Sequence, residues 1–365
     1  MKKKLKNVYI SSIHQNAGKT TVSLGLYKVF RDRKLKTAFL KPVGQQTMTV
    51  DQEDIDKDSY LIGEVYHQKA LKMMSPVTIG PGFTEKYIFH PEKEKYRKMI
   101  QDSFDGLTKN KDAIIIEGTG HSGVGSVIDL SNAEVASMLK SKVIIISGGG
   151  IGRSIDEIAL NKGLFDLKKV EILGVIVNKV LPGKYERIKK VLGVGLKRHG
   201  LRLLGVIPAD PLLSAPTVGQ VMNLLNLELL CGQTSLNRRV KNTIVAAMEP
   251  YNMVNYLKNG TMVVTSGDRV DNIMVAVSSH LVTQGKKTQI SGIILTGGLT
   301  PNKKIIDLLK KSRIPCLMAQ GDTYSVAGKI ENLICKIQKT DRDKIKEARQ
   351  LIKKYVDVDA ILNNL

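Results

Sequence analysis

The chain has 365 residues, of which 42% are hydrophobic and 25% are charged, a composition typical of soluble globular proteins. This length suggests about two domains, and no apolar run approaches the roughly 18–20 residues of a membrane-spanning helix. The 56 Lys and Arg residues exceed the 34 Asp and Glu residues, and the net charge of +22 favours anionic partners such as nucleotides. The basic residues are spread along the chain without a nucleic-acid-binding motif, which argues against nucleic acid.

The cysteines are few and show no paired metal-ligand spacing. We expect Cys231, Cys316 and Cys335 to be reduced and mostly packed, as in a cytoplasmic protein. The basic start of the chain precedes an apolar stretch of only about five residues, too short for a signal peptide. That stretch is therefore predicted to be the first β-strand.

Apolar runs rich in Ile and Val alternate with helical patterns in the first part of the chain. Their consecutive apolar positions are typical of strands buried on both faces. The alternation predicts an α/β fold with a doubly wound, mainly parallel sheet. We place this domain at residues 1–212, with strands at 7–11, 36–42, 112–118, 142–148, 171–179 and 201–208.

A smaller α/β domain is predicted from 213 to 339, after a segment that contains Pro211 and Pro216. It would begin with a helix over 218–230 and continue with strands at 242–248, 261–266, 289–297 and 314–320. Further helices are expected at 270–282, 301–312 and 323–337. Residues 340–365 are assigned to a separate C-terminal helix, because 341–355 forms a charged amphipathic pattern.

A glycine-containing loop, Ser11–Thr21, joins the first strand to a helix. Gly18 would let the backbone approach a phosphate, and the loop N–H groups and the helix N-terminus would attract its charge. Lys19 would reach the β- and γ-phosphates and the Thr20 hydroxyl would bind Mg²⁺. The standard P-loop pattern has glycine where this chain has Ile13. An ordinary strand–turn–helix with a capping threonine therefore stays open as an alternative.

An acidic residue is also needed near Mg²⁺ at the end of a neighbouring strand. Glu117 supplies a carboxylate directly after the apolar run 112–116, and Gly118 lets the chain turn away. A carboxylate at a strand end is common in α/β proteins, so Glu117 alone does not decide between a metal ligand and an ordinary loop residue.

The loop, the strand ending at 39–43 and the segment 117–120 occur in the order found in dethiobiotin synthetase, which the chain resembles. The cobyrinic acid a,c-diamide synthases share this fold. The resemblance implies ATP and Mg²⁺ as cofactors, with Lys19 and Lys41 at the phosphates and Thr20, Asp58 and Glu117 around the metal. A solvated acidic loop is the competing interpretation of the segment that contains Asp58, since four more carboxylates precede it: Asp51, Glu53, Asp54 and Asp56.

The resemblance also implies further nucleotide contacts. Asn178 and Lys179 resemble the strand end that recognises adenine, and Pro208 lies in the second segment that lines the base. The remaining contacts would come from the phosphate loop, through Ser12, Asn16, Ala17, Gly18 and Thr21. Ser12 replaces the glycine that opens the synthetase loop, and Gln15 replaces a threonine associated with the substrate carbamate. The nucleotide chemistry is therefore expected to be retained, whereas the diamino-acid site is not evident.

A second resemblance covers 238–241, 262–271 and 292–299, which look like the DRTGG domain. A P-loop domain followed by this module resembles the N-terminal half of long bacterial phosphate acetyltransferases. In those enzymes this half is linked to regulation and assembly, so a homo-oligomer is expected and acetyl transfer is not. At the rim of the module, Asp268, Arg269 and Asp271 could serve a small anionic ligand or a subunit contact, or Asp268 could simply cap the next helix and pair with Arg269.

Three functions follow from these patterns. The first is an ATP-binding, ATP-hydrolysing protein in which Lys19, Lys41 and Glu117 act at the γ-phosphate, with the DRTGG domain as sensor or assembly module. The second is an ATP-dependent ligase or amidoligase acting on a small carboxylate. The third is a non-catalytic regulatory partner of an acyl-phosphate pathway enzyme. Phosphate release stimulated by one small molecule would favour the ligase, and binding without turnover would favour the regulator.

Overall fold

The computed structural model describes residues 4–282 and 289–365. The chain divides into two compact units, Met1–Asp210 with Ile337–Leu365, and Pro211–Lys336. Within the described residues, every helix is too short or too polar to cross a membrane.

The first unit is built on a parallel sheet of six strands, in the order β10-β9-β8-β1-β7-β2. The Ile- and Val-rich strands at its centre are buried, as the sequence predicts, and β7 has no exposed residue. Strand order reverses at β1, which has β7 on one side and β8 on the other, and open α/β sheets bind ligands at such a point. The strands of this unit are β1 (Lys6–Ser12), β2 (Thr37–Leu40), β3 (Val43–Gly44), β4 (Thr47–Val50), β5 (Glu53–Asp56), β6 (Val77–Thr78), β7 (Ala113–Glu117), β8 (Lys142–Ser147), β9 (Ile172–Val180) and β10 (Leu203–Pro208).

Helices alternate with these strands, which confirms the predicted doubly wound, mainly parallel α/β fold. They are α1 (Lys19–Asp32), α2 (Lys57–Tyr66), α3 (Leu71–Met74), α4 (Phe83–Phe89), α5 (Lys93–Thr108), α6 (Asn132–Met138), α7 (Gly152–Leu167) and α8 (Tyr185–Arg198). Two small ladders lie outside the main sheet, the parallel pair β3–β6 and the antiparallel hairpin β4–β5. The sequence did not predict these ladders, because their strands are only two to four residues long.

The second unit has a five-stranded sheet in the order β11-β15-β14-β13-β12. Its strands are β11 (Glu228–Cys231), β12 (Asn242–Val245), β13 (Thr261–Ser266), β14 (Ile290–Thr296) and β15 (Cys316–Met318). Four of them are parallel, and β11 pairs antiparallel with β15. The helices are α9 (Pro211–Ser214), α10 (Val218–Leu225), α11 (Pro250–Met253), α12 (Val270–Val282), α13 (Lys303–Ser312) and α14 (Thr323–Glu331).

The predicted helix over 218–230 is wrong in its second half. Helix α10 ends at Leu225, because Asn226 adopts a left-handed backbone conformation with φ of 52°, and the chain then enters β11. The apolar residues 229–231 pair with β15 instead of continuing the helix. Short apolar runs of this kind fit a helix and a strand equally well until the partner strand is known.

Residues 340–365, expected as one separate helix, form α15 (Arg342–Tyr355) and α16 (Val358–Asn363), which belong to the first unit. Helix α15 packs closely on α1 at Gly25. A Cβ atom on Gly25 would lie 2.3 Å from Ile352 Cγ1 and 2.7 Å from the Ala348 carbonyl oxygen. Only glycine allows the two helices to approach this closely.

We expect the Gly25→Ala substitution to lower the free energy of unfolding by about 1–3 kcal/mol, since the added methyl group meets a backbone carbonyl that cannot move away alone. Gly163→Ala in α7 is the matched control, because no atom lies within 4 Å of its Cβ position. That control should instead stabilise the helix, by about 0.5–1 kcal/mol. Chemical denaturation of both variants checks the prediction, and stabilisation by Gly25→Ala would contradict the close packing of α1 and α15.

Candidate nucleotide-binding site

The phosphate loop lies between the carboxyl end of β1 and the start of α1. Gly18 precedes the helix with φ of 101°, and Asn16 is also left-handed with φ of 61°. A Cβ atom on Gly18 would lie 2.1 Å from Asn178 Nδ2. Glycine is therefore required at this position by both the backbone conformation and the space. The result is a tight loop that leads into a helix N-terminus, as phosphate binding needs.

The end of β9 supports this loop from the side. Asn178 donates a hydrogen bond from Nδ2 to the Ala17 carbonyl oxygen at 2.9 Å, and Lys179 donates from Nζ to the Asn16 carbonyl oxygen at 2.8 Å. Pro208, at the end of β10, pairs in register with Val180. The predicted base-contacting residues thus lie at the same sheet edge as the phosphate loop, and their role toward adenine stays a prediction.

Ser12 connects the loop lysine to the end of β1. Lys19 donates from Nζ to Ser12 Oγ at 2.9 Å, and Ser12 Oγ donates to the His14 carbonyl oxygen at 2.6 Å. Lys19 is buried, whereas His14 is exposed. The serine that stands in place of the expected glycine therefore holds the Lys19 ammonium near the carboxyl edge of the sheet. Thr21, two residues after Lys19, is half-buried in α1.

The Thr20 hydroxyl lies between two carboxylates. Its Oγ1 atom is 2.9 Å from Glu117 Oε1 and 3.2 Å from Asp58 Oδ1. Glu117 ends β7, next to Ile10 of β1, and Asp58 lies in the first turn of α2. Asp56 caps that helix by accepting a hydrogen bond from the Asp58 N–H at 2.8 Å.

The acidic segment before α2 is thereby divided into two parts. Asp58 and Asp56 are buried, and three carboxylates of the hairpin are exposed to solvent: Asp51, Glu53 and Asp54. The interpretation as a solvated acidic loop is therefore correct for the hairpin. It is not correct for Asp58, which is buried and contacts Thr20.

A buried lysine completes the cluster. Lys41 Nζ lies 2.9 Å from Asp58 Oδ2, 3.3 Å from Glu117 Oε1 and 3.3 Å from the Gly118 carbonyl oxygen. Burial alone would lower the pKa of Lys41, but the carboxylates of Asp58, Glu117 and Asp56 outweigh it and raise that pKa. Lys41 is therefore a buried ammonium ion surrounded by carboxylates.

These residues fit a divalent cation bound together with a nucleotide. Glu117 Oε2 is buried and accepts no hydrogen bond, although Glu117 Oε1 contacts both Thr20 and Lys41. Carboxylate and hydroxyl oxygens are the ligands that Mg²⁺ prefers, and it usually keeps phosphate or water oxygens as well. Over residues 4–282 and 289–365, no group of three or more His, Cys, Asp or Glu side chains is placed to hold a metal ion by itself.

Sequence reasoning missed one buried contact next to Glu117. The carboxamide of Asn132, the first residue of α6, contacts Tyr9 of β1 and the segment 119–121. An asparagine at a helix start is common for capping reasons. No pattern in the sequence therefore distinguishes Asn132 from an ordinary helix-terminal residue.

At the rim of the second unit, Arg269 pairs with Asp271 and not with Asp268. Arg269 Nη2 lies 2.8 Å from Asp271 Oδ2, and Nε lies 3.0 Å from Asp271 Oδ1. Arg269 also donates to the Met248 carbonyl oxygen at 3.3 Å. The predicted pairing of Arg269 with Asp268 is thus corrected, since Asp271 in the first turn of α12 contacts the guanidinium group instead.

A family model described as AAA domain matches residues 6–217, which is more than half of the chain. The chain belongs to this AAA domain family. Residues 220–333 match the DRTGG domain. The AAA domain match covers the loop before α1, Glu117 and the ends of β9 and β10.

The relatives of this AAA domain chain include phosphate acetyltransferases. The enzyme of Nitratidesulfovibrio vulgaris is 26% identical and aligns with 96% of this chain and 50% of its own length. The enzyme of Synechocystis sp. is 24% identical, over 98% of this chain and 52% of its own length. The chain thus spans about half the length of these curated relatives, which confirms the predicted resemblance to one half of such enzymes.

Among solved structures, a putative plasmid partition protein from Borrelia burgdorferi bound to AMPPNP is similar, with 15% identity and a TM-score of 0.39. The match covers 57% of this chain and 88% of that one.

Proposed function

We propose that this chain binds ATP together with Mg²⁺ at the carboxyl edge of β1 and β7. The observation that carries the proposal is the buried cluster of Thr20, Asp58, Glu117 and Lys41, in which Glu117 Oε2 lacks a hydrogen-bond partner. A buried acceptor without a partner is unfavourable. A divalent cation bound there would give Glu117 Oε2 a partner.

Each residue has a role that its position supports. Lys19 would turn from Ser12 to the β- and γ-phosphates, as the lysine of a P-loop does. Thr20, Asp58 and Glu117 would orient the metal, which when bound neutralises phosphate charge. Lys41 would remain beside Asp58 and Glu117, where its raised pKa keeps it protonated and able to stabilise negative charge. Hydrolysis by in-line attack of water on the γ-phosphate is the reaction that this arrangement would support.

A regulatory role is the second candidate, and the alignment with phosphate acetyltransferases favours it. Almost the whole chain aligns with about half of each relative. We propose that the nucleotide state of this chain controls an enzyme of acyl-phosphate metabolism. Nucleotide binding with slow phosphate release that small carboxylates do not accelerate would support this role. Release accelerated by one carboxylate would instead support a ligase.

The Glu117→Gln substitution is expected to lower the affinity for ATP in the presence of Mg²⁺ at least about tenfold, because it removes a metal-binding charge without changing the size of the side chain. Affinity measured with EDTA should stay close to that of the wild type, so the variant loses its response to Mg²⁺. Isothermal titration calorimetry with and without Mg²⁺ measures both values. The matched control is Glu53→Gln on the exposed hairpin, which should behave as wild type. A normal Mg²⁺ response in Glu117→Gln would remove Glu117 from the metal site.

A further inference from the structure

Asn132 is buried beside the proposed site, and its carboxamide uses all of its hydrogen-bonding positions. Asn132 Oδ1 accepts from the Tyr9 hydroxyl at 2.8 Å and from the Thr119 N–H at 3.1 Å. Asn132 Nδ2 donates to the carbonyl oxygens of Thr119 at 2.8 Å and His121 at 2.6 Å. A carboxamide has two donor hydrogens and two acceptor lone pairs, so this one is fully satisfied. It holds the backbone of residues 118–121, which we name the post-β7 loop.

The post-β7 loop is also closely packed against its neighbours. A Cβ atom on Gly118 would lie 2.5 Å from Asn132 Oδ1 and 2.7 Å from Tyr9 Cε1. Burial raises the pKa of Tyr9, so its hydroxyl stays protonated and continues to donate to Asn132. The loop is therefore held in one conformation by groups from β1 and α6.

The post-β7 loop is also joined to both halves of the proposed site. The Ser12 N–H donates to the Gly120 carbonyl oxygen at 3.3 Å, and Ser12 Oγ accepts from Lys19. On the metal side, Lys41 donates to the Gly118 carbonyl oxygen at 3.3 Å. The loop follows Glu117 directly. It thus adjoins both Glu117, which would hold the metal, and Ser12, which accepts a hydrogen bond from Lys19.

We propose that Asn132 is a positioning residue that makes this site prefer a triphosphate over a diphosphate nucleotide. The inference rests on the proposed function. In phosphoryl-transfer sites the metal and the loop lysine both act on the terminal phosphates. A backbone segment that adjoins Glu117 and Ser12 would therefore lie near the γ-phosphate. ADP lacks that group, so a displaced post-β7 loop weakens ATP binding and leaves ADP binding largely unchanged.

The test compares affinities for Mg²⁺–AMPPNP and Mg²⁺–ADP in the full chain by calorimetry. Asn132→Ala should weaken AMPPNP binding about tenfold or more and ADP binding by less than about threefold, a difference above the usual scatter between variants. Asn161→Ala is the matched control. Asn161 is a buried asparagine that accepts from the Ser122 N–H at 2.8 Å, one residue beyond the loop. In Asn161→Ala the ratio of the affinities for Mg²⁺–AMPPNP and Mg²⁺–ADP should equal that of the wild type.

Asn132→Ser is a second variant in case Asn132→Ala does not fold, since a smaller polar side chain leaves room for water to satisfy Thr119. It should show the same selective loss for AMPPNP. Equal losses for the two nucleotides, or no loss, in the folded Asn132 variants would overturn the inference while the proposed function stands. Failure of the wild-type chain to bind either nucleotide would overturn the proposed function as well.

Discussion

Lys19→Ala should reduce the affinity for Mg²⁺–ATP at least about a hundredfold, because a lysine that donates two hydrogen bonds to charged phosphates contributes roughly 3 kcal/mol or more. In the present structure the Lys19 ammonium lies 2.9 Å from Ser12 Oγ, at the edge where the phosphates would bind. The substitution shortens a side chain in the first turn of α1 and leaves the glycine that shapes the loop in place. We therefore expect the fold to be retained.

Lys28→Ala is the control for that experiment. Lys28 lies on the same helix and forms a surface ion pair with Asp32, four residues along. Such exposed pairs contribute little to stability, and Lys28 is remote from the loop, so ATP affinity should not change. An unaltered affinity in Lys19→Ala, measured beside this control, would refute the phosphate-binding role of the loop lysine.

Lys41→Met should produce the largest loss of stability among these variants, about 3–5 kcal/mol, because it removes a buried cation that contacts two buried carboxylates. Asp58 and Glu117 both contact the Lys41 ammonium, and all three side chains are at most 5% exposed. The raised pKa of Lys41 makes its contribution complete at neutral pH, and that contribution is lost only as pH rises through the raised value. The difference from wild type should therefore be constant between about pH 6 and pH 9.

Denaturant unfolding of the wild type, of Lys41→Met and of two further variants measures this effect. Lys36→Met, at an exposed position just before β2, is the matched control and should change stability by less than about 0.5 kcal/mol. Adding Asp58→Asn to Lys41→Met should recover part of the loss, since it removes one of the two carboxylate charges that Lys41 contacts. Mg²⁺ should also stabilise Lys41→Met more than the wild type, because the cation takes over the neutralising role of the ammonium. A loss of unfolding free energy below about 1 kcal/mol in Lys41→Met would show that Lys41 does not stabilise the carboxylates of Asp58 and Glu117.

The central sheet could be predicted from the sequence because its strands are buried on both faces. Residues 113–116 and 143–146 are apolar at every position, a pattern typical of strands buried on both faces of a sheet. The loop at Gly18 could also be predicted, since glycine, lysine and threonine follow a buried strand there. The contact of Asn178 with this loop could not be predicted, because it joins residues 160 positions apart in the chain.

Other features depended on contacts that a local pattern does not contain. Strand β11 could not be predicted without knowing that it pairs with β15. The packing of α15 on α1 depends on the small size of Gly25, and no local pattern indicates this contact. Asp58 could be selected among the acidic residues only through the family resemblance, because its burial follows from the hairpin that precedes it. The contacts of Asn132 could not be predicted from the sequence, because they are made to backbone groups, which every residue has.

The most direct test of joint ATP and Mg²⁺ binding is a calorimetric titration of the wild-type chain with ATP, in Mg²⁺ and again in EDTA. We expect one nucleotide per chain, with affinity that falls when Mg²⁺ is removed. Absence of binding in Mg²⁺, or binding that is equally tight in EDTA, would contradict a phosphate loop that works together with the carboxylates of Asp58 and Glu117.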